Sequence, residues 1–130
     1  MTPTDITRAI NDLLFTPGLD LEEAIDRHFT PDYRQRTNGE WSDRTSFAQH
    51  MTRLRSVVVS GHIEVHDEFR DGLRYADRHS VTVTRNNGRT SRTEVYLFGR
   101  FAPDGRFQCV EETTLLVTGH DDDRNLGSIK

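Results

Sequence analysis

Cysteine is almost absent from this chain and lysine equally so: Cys109 and Lys130 stand alone. A lone cysteine closes no intramolecular disulfide, so stability must come from the core, and a reducing compartment is expected. No apolar run approaches the ~20 residues that a membrane span needs. The opening MTPTDITRAI lacks a basic region followed by an apolar one, so no secretory signal is expected. These absences point to a cytoplasmic protein with no membrane partner. No glycine loop for phosphate and no serine-nucleophile elbow is present. Positive charge is not concentrated either: 17 basic and 21 acidic residues are scattered along the chain, for a net charge of −4. A nucleic-acid binder would gather its basic residues on one face, so none is expected as partner. The excess of arginine over lysine reads as coding bias of a GC-rich bacterial genome. Apolar residues are scarce too, at 33%, below the usual globular share. A core this lean suggests that a partner subunit completes some of the apolar surface.

What is present fits one domain over residues 1–130, with an acidic tail from about residue 120 carrying Asp121, Asp122 and Asp123. Three helical segments come first. Ile6, Ala9, Ile10 and Leu13 follow the helical spacing, with Thr4 as N-cap and Thr16-Pro17-Gly18 as stop. Asp20 caps a second helix with Leu21, Ala24, Ile25 and His28 inside, closed by Pro31. Ser42 or Asp43 caps a third, whose face carries Phe47, Met51, Leu54 and Val58. From about Gly61 the apolar period falls to two. Ile63, Val65 and Phe69 alternate with His62, Glu64, His66 and Glu68, as in a half-buried strand. Further strands are expected at Tyr75–Val83, Thr93–Phe101 and Phe107–Val117. They are joined by loops at Asn86-Asn87-Gly88 and Pro103-Asp104-Gly105. The fold class is therefore α+β, three N-terminal helices packed on a curved antiparallel sheet.

Helices followed by a long bent meander form the layout of the nuclear-transport-factor-2-like superfamily. The chain resembles its SnoaL-like branch in His28-Phe29-Thr30-Pro31-Asp32-Tyr33, in Gly39-Glu40-Trp41, in Gly99-Arg100-Phe101 and in Glu112-Thr113-Thr114. The resemblance covers roughly Leu21 to Gly119. It implies a cone-shaped α+β barrel with a pocket between helices and concave sheet, and acidic or basic side chains at work in an apolar cone. It implies no metal and no cofactor. Its members include polyketide cyclases, ketosteroid isomerases, epoxide hydrolases and hydroxylases, beside proteins that only bind a ligand or a partner. It also places Tyr33 and Trp41 near the pocket mouth as ligand contacts.

Three-residue loops pair Arg85 with Arg89 and Ala102 with Arg106, so odd positions of the last three strands share a face. That face carries Tyr75, Val81, Val83, Val95, Leu97, Phe101 and Phe107, and is the more apolar one. Its ionisable exceptions are Asp77, His79 and Glu111. In this register Asp77 and Glu111 flank Leu97, two strands apart, about 9–10 Å between backbones. Asp77, His79 and Glu111 are thus the candidate catalytic residues, with Tyr75 and Leu97 beside the ligand. An apolar setting raises a carboxyl pKa, and a nearby histidine suits proton transfer. The same three residues also fit a structural polar layer bonded to itself. His62 and His66 lie about 13 Å apart on a strand, too far to chelate one metal. His28 and His50 read as core or rim histidines, and Cys109 as an unactivated thiol.

Two readings follow. One is a pocket protein acting on a small, largely apolar organic molecule, an isomerase or cyclase that abstracts a proton next to a carbonyl. The other is a non-catalytic binding or assembly module of the same fold. The even-numbered face carries Ala76, Tyr96, Phe98, Val110 and Leu116 among charged residues. Apolar residues on an outer sheet face commonly mark an interface, and together with the resemblance they imply a homodimer.

Overall fold

Each helix starts where an aspartate ends an extended stretch of backbone. Asp5, Asp20 and Asp43 accept from the amides of Arg8, Glu23 and Ser46, which would otherwise lack partners in the first turn. The helices are α1 (Ile6–Ile10), α2 (Leu21–His28) and α3 (Arg44–Val57). The cap of α1 is one residue later than the sequence suggested, because the Thr4 hydroxyl is taken up by His28 Nδ1 at 2.6 Å. α1 continues as a π-helical segment, Asn11–Phe15. Its wider turn is a local irregularity of the kind often found beside functional sites. The computed structural model describes residues 2–119, so the acidic tail lies outside the described residues.

Six strands follow or interleave with the helices: β1 (Phe29–Thr37), β2 (Glu40–Asp43), β3 (Val58–Asp71), β4 (Arg74–Arg85), β5 (Thr90–Phe101) and β6 (Phe107–Thr118). They form one sheet of order β2-β1-β6-β5-β4-β3. β1 runs parallel to β6 and every other pairing is antiparallel, so the sheet is mixed. It is not closed: β2 and β3 are its two edges. The helices lie on the inner side and bury Ile6, Leu13, Ala24, Ile25, Phe47 and Met51. At one end of the core, Phe29, Tyr33, Phe47, Tyr75, Phe101 and Phe107 form a continuous ring cluster, with centroids 4.6–5.9 Å apart.

Two bulges decide which residues face that core. The β4–β5 hairpin keeps the expected parity, with Arg85 N bonded to Arg89 O and Asp77 opposite Leu97. The next loop also closes as expected, Ala102 N donating to Arg106 O. Phe101 then pairs with Phe107 but Arg100 with Cys109, so Gln108 is an extra residue in β6. Beyond it the even positions turn inward: Val110, Glu112 and Thr114 face Gly99, Leu97 and Val95. A one-residue bulge reverses the face of everything after it. The inward placing of Cys109, Glu111 and Thr113 is thereby corrected, and so is the outward placing of Val110 and Leu116. On β3 the extra residue is His66. It turns Phe69 outward, where it is 68% exposed, and brings Glu68 opposite Asp77.

Candidate active site

Between helices and sheet lies a cavity offering about 120 Å³ to the centre of a water-sized molecule. α1 and its π segment contribute Ile6, Ile10, Leu13 and Leu14, and α3 contributes Phe47, His50, Met51 and Leu54. The sheet contributes Val81, Val83, Val95, Leu97 and Val110, together with a few polar groups: Tyr33, Gln35, His79, Thr93, Glu112 and Thr114. An apolar chamber with a small set of convergent polar groups is the usual form of a small-molecule site.

β4 supplies the first pair. Asp77 and His79 are two residues apart on one strand, hence on the same face, and both are buried. Asp77 Oδ1 lies 2.5 Å from His79 Nδ1. An ionised carboxylate only accepts, so Nδ1 is the donor of this pair and Nε2 stands outside the bond. Asp77 Oδ2 is buried with no hydrogen-bond partner. His79 lines the cavity, with Asp77 behind it.

β6 supplies the acid opposite. Glu112 stands in the row Asp77–Leu97–Glu112 across three strands, the place expected for its neighbour Glu111. Glu111 itself is exposed on the outer face, because of the Gln108 bulge. Burial pushes the Glu112 carboxyl above its ordinary value, against the pull of His79 and of the Thr37 hydrogen bond, while the Asp77 charge adds to the rise. β1 holds this carboxyl in place. Gln35 Nε2 and Thr37 Oγ1 both donate to Glu112 Oε1 at 3.1 Å. Tyr33 OH donates to Gln35 Oε1 at 2.6 Å, which fixes the direction of the amide. Burial, then the Glu112 and Cys109 charges, hold the Tyr33 phenol well above its usual pKa, so it remains a donor.

The other ligand contacts divide. Leu97 and Tyr33 line the cavity. Trp41 does not: it lies on edge strand β2, 46% exposed, with the Arg34 guanidinium 4.6 Å from its ring centroid. Its assignment as a ligand contact is corrected, because β2 pairs only with β1 and carries its side chains beyond the core. Tyr75 is buried beneath the cavity, donating to Glu68 Oε2 at 2.6 Å and accepting from Ile6 N at 3.4 Å. Gln35, Thr37 and Glu112 were missed from sequence. Asn38-Gly39 was the available signal for the first two. It is a two-residue hairpin, with φ of 50° and 89°, that pairs Thr37 with Glu40. It sets β1 in a register where Tyr33, Gln35 and Thr37 share the inner face. Among the described residues no cluster of three histidine, cysteine or acidic side chains is placed to hold a metal ion.

A chamber of this kind, between three helices and an open six-stranded sheet, defines an α+β fold of the nuclear-transport-factor-2-like type. The SnoaL-like domain profile matches residues 15–110, and the chain belongs to that family. An uncharacterized protein of the fission yeast Schizosaccharomyces pombe is 32% identical over 108 residues, covering 83% of this chain and 82% of its own. Among solved structures, a putative isomerase from Rhodopseudomonas palustris superposes with a TM-score of 0.66 at 12% identity, covering 92% of this chain and 91% of its own. AclR, a putative hydroxylase from Streptomyces galilaeus, gives 0.62 at 19% identity, covering 85% and 72%. At such identities the two structures speak for the fold alone, and their differing descriptions leave the chemistry to the site.

Proposed function

We propose that the chain is a general acid–base enzyme of isomerase or cyclase type, acting on a small, largely apolar carbonyl compound. The observation that carries this reading is the Asp77–His79 pair on the same inner sheet face as Glu112, with one strand between them. His79 Nε2 takes a proton from the carbon next to the carbonyl, and Asp77 stabilises the imidazolium that forms. The C–H electron pair becomes the C=C bond of an enolate. The oxygen that gains the charge accepts a hydrogen bond from the protonated Glu112 at Oε2, since Oε1 is occupied by Gln35 and Thr37. Where the substrate carries a β,γ double bond the enolate is a dienolate. The imidazolium then returns the proton to its γ-carbon while the double bond moves into conjugation, which is isomerisation. In a cyclase the enolate carbon would instead attack a second carbonyl. Asp77 is the positioning residue rather than the base.

Hydrogen–deuterium exchange at the α-carbon of a small ketone in D2O tests the first step without knowledge of the natural substrate. The wild-type chain should accelerate exchange, and His79→Gln should lower the rate by ~10²–10⁴. Asp77→Asn should lower it too, with ketone affinity retained. Binding without exchange would leave a ligand-binding module. The same reading takes the protein as a cytoplasmic homodimer joined through the outer sheet face, with neither nucleic acid nor membrane as partner.

A further inference from the structure

We infer that one end of the chamber carries a guanidinium rim, Arg53, Arg85 and Arg89, whose occupant is the acidic segment Asp121, Asp122 and Asp123 of the same chain. The rim is defined by charge and burial and is independent of the reaction proposed above.

Two elements bring the three cations together. The hairpin that joins β4 to β5 is fastened to the last turn of α3: Asn86 N donates to Val57 O at 2.8 Å, and Asn86 Nδ2 to Ser56 O at 3.2 Å. Val58, directly after α3, pairs with Arg85. Arg53 stands one turn before Val57 on the same side of α3. Arg85 and Arg89 flank the hairpin loop, with Arg85 N bonded to Arg89 O at 2.8 Å. Arg85 has the strand parity of Val83, which lines the chamber together with His50 and Val58. The rim therefore borders the chamber and not the outer face of the sheet.

Burial sets the chemistry of what belongs there. Arg53 Nε and Nη2 are buried, and no described residue accepts from them. A guanidinium does not shed its proton, and taking one out of water without a partner is costly. Ser91, 1% exposed at the start of β5, has a hydroxyl in the same condition. Both groups can donate, so the matching partner is an acceptor, and beside three guanidiniums it is an anion.

Chain order supplies the anion. Thr118 is the last residue of β6 and stands opposite Arg92. Only Gly119 and His120 separate it from the three aspartates, the one run of three acids in the sequence. Three residues of extended chain span up to ~10 Å. β6 runs antiparallel to β5, so this span leads from Arg92 back towards Arg89, which lies the same three residues away.

Replacing Asp121→Asn, Asp122→Asn and Asp123→Asn together in the full chain removes the charge and leaves the core untouched. This triple variant should melt at least ~3 °C below wild type at low ionic strength. In an Arg53→Met, Arg85→Met background the same three replacements should lower the midpoint by less than half as much, since the cations they serve are gone. An unchanged midpoint in the triple variant overturns the inference, and so does an equal loss in both backgrounds. Where that background does not fold, the Arg53 Nε–H resonance decides. The three replacements should shift it and speed its exchange with water ~tenfold or more; a resonance indifferent to them overturns the inference. Melts over a wide range of protein concentration separate this chain's segment from that of a second copy. A tail effect equal at every dilution supports pairing within one chain, and one that grows with concentration overturns it.

Discussion

Gln35 Nε2 and Thr37 Oγ1 occupy one oxygen of Glu112, and burial raises the affinity of the carboxyl for its proton. Folding thus shifts this carboxyl toward its neutral form. A carboxyl whose folded pKa exceeds its unfolded one stabilises the fold fully below the unfolded value, and that contribution is lost as pH rises through the folded value. Ketone exchange should fall over the same upper window, above the ordinary 4.5 of a glutamate. Glu112→Gln keeps a donor but cannot ionise, so the alkaline limb of a pH–rate profile should disappear in that variant. Glu111→Gln, on the exposed face, should leave both rate and profile unchanged. An unaltered limb in Glu112→Gln would assign it to another group. Asp77 and His79 were legible in the sequence because the Asn86-Asn87-Gly88 loop preserves parity between β4 and β5. The acid was misread by one position, since nothing in Phe107-Gln108-Cys109 announces a bulge.

At the scale of elements, β1 was hidden for a related reason. Its inward positions after Tyr33 are Gln35 and Thr37, polar residues that serve the carboxyl, so the apolar alternation that marks a strand is missing. The helices were legible through their caps, and Asp20 stands where its sequence context predicted. Two substitutions test the packing of these elements. Gly61 lies where β3 passes beneath Phe15. An added Cβ would sit 2.3 Å from the Thr82 carbonyl oxygen and 2.6 Å from the ring. Gly61→Ala should cost ~1–3 kcal/mol by overpacking, read as a lowered denaturation midpoint. His28→Ala leaves Thr4 and Asp12 without their buried partner and should cost a similar ~1–3 kcal/mol. Burial alone would raise the Asp12 carboxyl, but the hydrogen bond and charge of His28, with Arg27, outweigh it and hold it below 3.8. The stability from this bond is therefore present above that value and lost as pH falls through the lower folded one. The His28→Ala variant should show a flatter decline of stability in acid.

For the whole molecule, the outer face of the sheet is the feature that no other element among the described residues covers. Phe69, Tyr96, Phe98 and Leu115 are exposed there, Phe98 at 70%, and Phe69, Ala76 and Phe98 lie in one row across β3, β4 and β5. Aromatic side chains so arranged on a strand face suit burial against a second copy. Light scattering should give twice the chain mass at micromolar concentration, and Phe98→Glu should return it to the monomer mass with unchanged circular dichroism. A wild-type monomer would sink the dimer. Part of this face was legible from the even positions of β4 and β5, while Phe69 reached it only through the bulge at His66.

The extra residue Gln108 also bears on how such a pocket could change over generations. Two glutamates stand side by side in β6, one facing the chamber and the other facing solvent. Loss of the bulge, with Gln108 drawn into the ladder opposite Arg100, would slide the rest of β6 by one residue and exchange them, so that a carboxyl still pointed into the chamber. The neighbours of that carboxyl would change with it, and Gln35 and Thr37 would meet a different partner. A doubled acid beside a bulge thus keeps a carboxyl in the chamber through a one-residue slip of register, in a strand where most such slips are ruinous. It also means that a gap at position 108 leaves the inward acid where it is, while a substitution that pulls residue 108 into the ladder changes which glutamate the chamber meets.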